Sequence, residues 1–129
     1  MGRARADGQG LPRSHRIRRG SDIRALLREG TRSRSRVLDV YSAPAPGEFS
    51  RFGTIVPRHG RKVVDRNLLR RRLRELGRTE VLPTLRERGC TLDVLVRTRP
   101  NAYGLPFSEL RAELLRLTER LCSDASSSG

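Results

Sequence analysis

Residues 60–78 constrain this chain most, because charge and apolarity separate there onto two sides of one helix. At about 100° per residue, Leu69, Leu73 and Leu76 fall together on one side. Basic residues recur on the other side at i, i+4 spacing with further polar residues beside them, namely Arg66, Arg70, Arg74 and Arg78 with Asn67 and Arg71. Asp65 is the candidate N-cap. Because like charges at this spacing repel one another, the helix predicts an anionic partner.

The composition of the chain favours a nucleic acid as that partner. Lysine and arginine number 28 against 14 acidic residues, for a net charge of +14 over 129 residues. Lys62 is the only lysine. The planar fork of arginine suits phosphates and exposed bases, although a GC-rich genome explains the arginine excess equally well. An acidic membrane surface is the competing target, but no stretch is long and apolar enough to enter a bilayer.

The N-terminal residues and the spacing of the cysteines predict a soluble, cytoplasmic protein. Residues 1–10 lack the apolar segment of a secretory signal. Cys90 and Cys122 stand far apart without a C-x-x-C pair, which is typical of reduced cytosolic thiols. No cluster of His, Cys, Asp or Glu has the spacing of metal ligands.

Hydrophobic periodicity divides the chain into alternating helices and strands. The first predicted helix covers 21–29, is capped by Ser21 or Asp22 and ends at Gly30, and a polar connection follows at 31–36. Strands are predicted at 37–42 and 51–56, joined by a hairpin loop, and a basic loop at 57–62 leads into the arginine helix. The rest of the chain predicts a helical turn within 80–88, a strand at 91–96 and a helix at 108–121 capped by Ser108. Leu11 and Ile17 are expected to anchor the N-terminal segment.

These elements predict one small α+β domain over residues 11–122, between disordered ends at 1–10 and 123–129. The order is α-β-β-α-β-α, and a fourth strand is expected from splitting residues 37–56 or from a short edge. We expect helices to cover one face of a mixed sheet. The arginine helix lies in a βαβ crossover, which implies a parallel pair of strands.

Several linked blocks resemble the bacterial ribonuclease P protein component over residues 11–121. Residues 66–75 (RNLLRRRLRE) are similar to the family's basic R-N-R-x-K-R-x-x-R-E helix, and residues 53–59 (GTIVPRH) to the strand and basic turn before it. Residues 93–96 and 99–100 resemble the family's last strand and its exit. The resemblance implies a ribonuclease P protein-like fold, related to ribosomal protein domain 2.

The resemblance also implies a function, which is to assist removal of the 5′ leader from precursor tRNA. In the family the RNA subunit is the catalyst and binds Mg²⁺, so no catalytic residue and no cofactor are expected in the protein, which is expected to act as a monomer in a 1:1 complex. The expected contacts to the RNA subunit are Arg58, Arg61, Lys62, Arg66, Asn67, Arg70, Arg71 and Arg74. The expected leader cleft consists of Arg13, Arg16, Ile23, Leu27 and Tyr41.

The chain departs from the family pattern at three kinds of position. Gly60-Arg61 stands where the family usually has an apolar residue followed by glycine, which implies a different shape for that loop. Leu68 replaces the last arginine of the R-N-R motif, and its place on the helix predicts a partly exposed side chain. Aliphatic residues stand where the family commonly has aromatic ones, at Leu11, Ile23, Leu27 and Leu38. Aliphatic walls stack bases less well than aromatic rings do.

Two other functions are compatible with the sequence. One is a ribosomal-type protein that binds structured RNA without any role in cleavage. The other is a free-standing nuclease in which His15 or His59 moves protons, although both histidines lie in arginine-rich runs that oppose protonation. A DNA-binding helix-turn-helix fits poorly, because strands flank the arginine helix.

Overall fold

The computed structural model describes the backbone of residues 11–128 and the side chains of residues 11–124. The helices and strands are α1 (Gly20–Glu29), β1 (Thr31–Arg34), β2 (Leu38–Pro44), β3 (Arg51–Ile55), α2 (Val63–Leu76), α3 (Leu82–Glu87), β4 (Leu92–Thr98) and α4 (Phe107–Ser128). A π-helical stretch, Gly77–Val81, continues α2 into α3. The predicted disorder of residues 1–10 falls outside the described part of the chain.

The four strands form one mixed sheet in the order β1-β2-β4-β3. Strand β2 runs antiparallel to both β1 and β4, whereas β3 and β4 run parallel. The α+β class and the parallel pair around the arginine helix are therefore confirmed. The predicted hairpin between β2 and β3 is wrong, because β4 lies between these two strands.

The fourth strand is the short edge β1, in the stretch predicted to be a polar connection. Its sequence is TRSR, and only Ser33 is buried. Backbone pairing with β2 holds it in place, with Thr31 opposite Ser42 and Arg34 opposite Asp39. An edge strand without apolar side chains has no hydrophobic alternation, so a periodicity search misses it.

The sheet is covered on both faces. Val40 and Val96 belong to the larger core, which includes buried leucines of α2, α3 and α4. Tyr41 and Leu95 point the other way and pack with Leu26 of α1. The expectation of helices on one face is wrong, because β2 and β4 carry apolar side chains on both of their faces and both must be buried.

The helices begin earlier than the predicted capping residues. Helix α2 starts after Lys62, which leaves Asp65 inside its first turn. Helix α4 contains Ser108 rather than following it, and α1 contains Ser21 and Asp22. No side chain caps α1 or α2. Acidic residues within a first turn still complement the helix dipole, which is why they resemble caps in the sequence.

Two predictions near the C-terminus are corrected. Cys90 and Cys122 are joined in a disulfide with their Cα atoms 6.1 Å apart, so they are not two separate thiols. The pair is 32 residues apart in sequence, and only packing of α4 against the loop after α3 brings it together. Helix α4 continues to Ser128, where the sequence predicted a disordered tail.

Among the residues described, no helix is both long and apolar enough to cross a membrane.

Candidate nucleic-acid interface

Helix α2 is oriented by its leucines. Leu69, Leu73 and Leu76 are buried against the core, and Leu73 is 0% exposed. With these residues inward, the opposite side of the helix must face solvent, since side chains three and four positions apart share a face. This outer side presents Asn67, Arg71 and Arg74, and we call these three residues the outer crest. The predicted amphipathic helix is confirmed.

One flank of α2 holds its arginines against neighbouring groups. Arg66 Nε donates to the carbonyl oxygen of Val56 at 3.1 Å, which ties α2 to the end of β3. Arg70 donates to Asn67 Oδ1 at 3.0 Å. Arg78 forms an ion pair with Glu75 and so differs from the others in its row. No carboxylate of the described residues pairs with Arg66, Arg70 or the outer crest, so their charge is available to an anion.

A cavity of about 250 Å³ lies where the N-terminal segment meets α2. Arg16, Arg18 and Arg74 line it together with Phe52, Gly53 and Thr54. Arg74 is exposed on its outer side, but partial desolvation lowers its pKa, and the positive charges of Arg16 and Arg70 lower it further. The carbonyl oxygen of Leu11 accepts from Arg16 Nε at 2.7 Å and fixes that side chain. The cavity thus concentrates positive charge, and an anion there relieves the repulsion.

The basic loop before α2 is shaped by two left-handed residues. His59 has φ 48° and Gly60 has φ 77°, and Arg61 N–H donates to the Arg58 carbonyl at 2.8 Å to close the turn. Arg58, Arg61 and Lys62 are all exposed. The glycine allows a conformation that most side chains resist, so the turn is favoured at this place in the sequence.

Tyr103 anchors this loop from a distant part of the chain. Its hydroxyl donates to the carbonyl oxygen of Pro57 at 2.9 Å, and the guanidinium of Arg61 lies 4.9 Å from the centre of its ring. The side chain of Tyr103 is buried. Nothing local in the sequence connects Tyr103 with residues 57–61. Phe107, the first residue of α4, is 40% exposed.

The residues predicted to form a leader cleft separate into two groups. Ile23, Leu27 and Tyr41 lie in one apolar cluster between α1 and the sheet, where Tyr41 is only 6% exposed. Arg16 lies beside Arg74 instead, and Arg13 is exposed in a short 3₁₀ turn. The structure therefore brings the apolar members together and places Arg16 at the junction with α2.

Basic residues that the sequence analysis missed lie on the same sheet face as Tyr41. Arg32 is paired with Tyr41 across the β1–β2 ladder, and Arg97 is paired with Asp39 across the β2–β4 ladder. Asp39 accepts from Arg34 at 2.9 Å and lies 3.6 Å from Arg99. Alternate residues of a strand share one face, and this period of two places both arginines on the face of Tyr41. For Arg32 the rule can be applied only once β1 is known to be a strand.

The two histidines of residues 11–124 lie in different surroundings. His15 contacts Phe49 with ring centres 5.0 Å apart, and Ser14 lies 3.0 Å from its Nδ1. His59 is an exposed loop residue. In this part of the chain, no group of three or more His, Cys, Asp or Glu side chains is placed to hold a metal ion.

A family model, a curated relative and two solved structures that are similar to this chain all concern ribonuclease P. A family model described as Ribonuclease P matches residues 11–122. The chain is 38% identical to the ribonuclease P protein component of Acidothermus cellulolyticus, over 92% of this chain and 98% of that protein. Its fold resembles the RNase P protein of Thermotoga maritima, with a TM-score of 0.67 and 26% identity over 81% of this chain and 96% of that one. The RNase P protein of Staphylococcus aureus gives a TM-score of 0.71 at 19% identity, covering 83% and 94%.

Proposed function

This chain belongs to the ribonuclease P protein family, and on that premise we propose that it binds a ribonuclease P RNA and assists cleavage of precursor tRNA at the mature 5′ end. The observation that carries the proposal is the outer crest of α2, whose arginines have no acidic partner among the described residues. Such a row is unfavourable in the isolated protein and becomes favourable against phosphates.

The RNA subunit is proposed to lie along α2. Arg66 and Arg70 are preset by their contacts to Val56 and Asn67, so they lose little side-chain freedom on binding. Arg71 and Arg74 extend the same positive surface. Arg58, Arg61 and Lys62 continue it through the loop and are assigned to phosphates of the RNA, since all three are exposed cations on one turn.

The 5′ leader is proposed to lie on the α1 face of the sheet. Ile23 and Leu27, which stay partly exposed beside the buried Tyr41, supply its apolar floor, while Arg32 and Arg97 add positive charge that was not predicted from the sequence. A single strand bound there contacts aliphatic side chains rather than exposed aromatic rings. We therefore expect contacts to leader phosphates to contribute more than base stacking.

Chemistry is assigned to the RNA subunit, together with the Mg²⁺ that it binds. The protein supplies hydrogen-bond donors and positive charge, and these position phosphates and reduce repulsion between the two RNAs. This division of labour predicts that the protein alone does not cleave precursor tRNA.

Reconstitution tests the proposal directly. The full chain is mixed with a bacterial ribonuclease P RNA at low Mg²⁺, and cleavage of precursor tRNA is measured with each component alone and with both. We expect correct 5′ cleavage to be stimulated by the protein, and none from the protein alone. A protein that binds this RNA no better than an unrelated structured RNA, and stimulates nothing, is instead a general RNA-binding protein. Cleavage by the protein alone that disappears in His15→Ala or His59→Ala indicates a nuclease.

A further inference from the structure

A second cavity, of about 400 Å³, lies on the flank of α2 opposite Arg66 and Arg70. One wall is a stripe of α2 at i, i+3, i+4 and i+7 spacing, formed by Asp65, Leu68, Leu69 and Arg72. The other wall is residues 102–106, the turn between β4 and α4. The cavity thus borders the outer crest, where the RNA subunit is proposed to lie, but is not part of it.

The walls of this cavity suit a flat ring. Leu68 is 39% exposed and leaves an apolar surface facing the cavity together with Leu69 and Leu105. Gly104 has φ +83°, and a Cβ built there meets nothing within 4 Å, so this lip is open. At the rim, Arg61 lies over the ring of Tyr103 and places a cation at the entrance.

Two charged side chains in the cavity lack partners. Asp65 and Arg72 are half-buried, and neither forms a hydrogen bond or an ion pair with any residue of the described part of the chain. An ionised carboxylate only accepts hydrogen bonds, whereas a guanidinium only donates them. A ligand that satisfies both groups therefore offers donors to Asp65 and an acceptor to Arg72.

We propose that this cavity binds one unpaired guanine of the ribonuclease P RNA, an inference that rests on the proposed function. The guanine edge carries two adjacent donors, N1–H and the N2 amino group, beside the acceptor O6. Asp65 accepts from the two donors, and Arg72 donates to O6. Adenine, cytosine and uracil each offer a carboxylate only one donor group on this edge. Leu68 contacts the face of the base, and Arg61 binds its phosphate.

Short single-stranded RNAs test the base preference apart from the phosphate backbone. Binding of the full chain to the pentaribonucleotides UUGUU, UUAUU and UUUUU is measured by fluorescence anisotropy at one fixed salt concentration. The three share the same charge, so non-specific attraction cancels in the ratio of affinities. We expect UUGUU to bind about tenfold more tightly than UUAUU, as for one good two-bond base contact.

Asp65→Asn and Glu75→Gln are the matched variants. Both remove one negative charge from α2, but only Asp65 lines the cavity, while Glu75 pairs with Arg78. We expect the preference for guanine to fall to nearly onefold in Asp65→Asn and to persist in Glu75→Gln. Equal affinity of the wild-type chain for UUGUU and UUAUU overturns the proposal, and so does a preference that survives Asp65→Asn.

The reconstitution assay separates this inference from the proposed function. If the protein stimulates cleavage but shows no preference for guanine, the proposed guanine site is wrong and the proposed function stands. Failure to stimulate cleavage removes the proposed function, and the pentamer ratios still decide whether the cavity selects guanine.

Discussion

At the scale of single residues, Arg51 and Asp93 form the most buried ion pair of the described residues, at the start of the two parallel strands. Arg51 Nε and Nη2 donate to the two carboxylate oxygens of Asp93 at 2.9 and 2.7 Å. The hydrogen bond to Asp93 raises the pKa of Arg51. The pair joins β3 to β4 in register, since Arg51 is opposite Asp93 in the parallel ladder.

Replacing Asp93 with asparagine is expected to lower the free energy of unfolding by about 2 kcal/mol, because Arg51 loses its two-bond carboxylate in a mostly buried place. Asp22→Asn is the control, since Asp22 lies 3.5 Å from the same guanidinium but its side chain is 36% exposed. That change should cost less than about 1 kcal/mol. Urea unfolding followed by circular dichroism measures both, and equal losses would contradict the assignment.

Leu68 stands where the resemblance in the sequence leads us to expect an arginine, and it is 39% exposed, as its helical position predicts. Leu68→Arg is expected to tighten binding to ribonuclease P RNA by about 0.5–1.5 kcal/mol, the value of one added charge-assisted contact. Leu68→Gln controls for size and polarity without charge. Filter binding at constant salt measures the difference. Unchanged affinity in Leu68→Arg would mean that an arginine at position 68 adds no net contact to the RNA.

At the scale of secondary-structure elements, the end of α2 approaches β3 so closely that no side chain fits between them. A Cβ built on Gly77 would overlap the ring of Phe52, which is 1% exposed. Glycine at this point therefore allows α2 to continue into the π-helical stretch while resting on the core. The orientation of the outer crest depends on this contact, because it fixes how α2 lies on the sheet.

Gly77→Ala tests the close approach. Alanine favours a helix by roughly 1 kcal/mol over glycine, whereas overpacking a core costs about 1–3 kcal/mol. We expect the clash to dominate and the free energy of unfolding to fall by about 1–2 kcal/mol. Gly47→Ala provides the comparison, because a Cβ there meets nothing within 4 Å. If chemical denaturation shows Gly77→Ala to be as stable as Gly47→Ala, the helix does not pack as closely as described.

At the scale of the whole molecule, the net charge of +14 makes RNA binding depend on ionic strength. Each phosphate neutralised by the protein releases counterions, so the logarithm of the binding constant falls linearly with the logarithm of salt concentration. We expect Arg71→Ala to lower the steepness of this dependence on ribonuclease P RNA by about one unit.

Arg116→Ala supplies the control for that measurement. Arg116 is on α4, its side chain is 54% exposed and it pairs with Glu113, so the variant changes net charge equally without touching α2. Titrations at several salt concentrations should leave its slope near that of the wild-type chain. Equal slopes for both variants would show that the outer crest is not the contact surface.

Much of this fold and part of its interface were predictable from local patterns. The leucine stripe of α2 follows from spacing alone, since a helix that buries Leu69 and Leu73 must expose Asn67 and Arg71. The apolar runs of β2 and β4 have the same local origin. The partial exposure of Leu68 was also predictable, because its position on the helix lies away from the leucine stripe. These features depend on neighbours within two turns of a helix or along one strand.

The remaining features depend on contacts between distant parts of the chain. Strand β1 has no apolar side chains to reveal it in the sequence, and it forms because its backbone pairs with the edge of β2. The Cys90–Cys122 bond, the hold of Tyr103 on Pro57 and the insertion of β4 between β2 and β3 each join residues far apart in sequence.

The sequence by itself determined that α2 exposes an arginine-rich face, which favours an anionic partner, because periodicity and charge are local properties. Only the tertiary structure decided what surrounds that helix. It placed Arg16 beside Arg74 on one flank and the turn at residues 102–106 across from Asp65 and Arg72 on the other. The physical reason is that burial of both sheet faces sets the positions of the connecting segments, and no residue pattern within those segments encodes their neighbours.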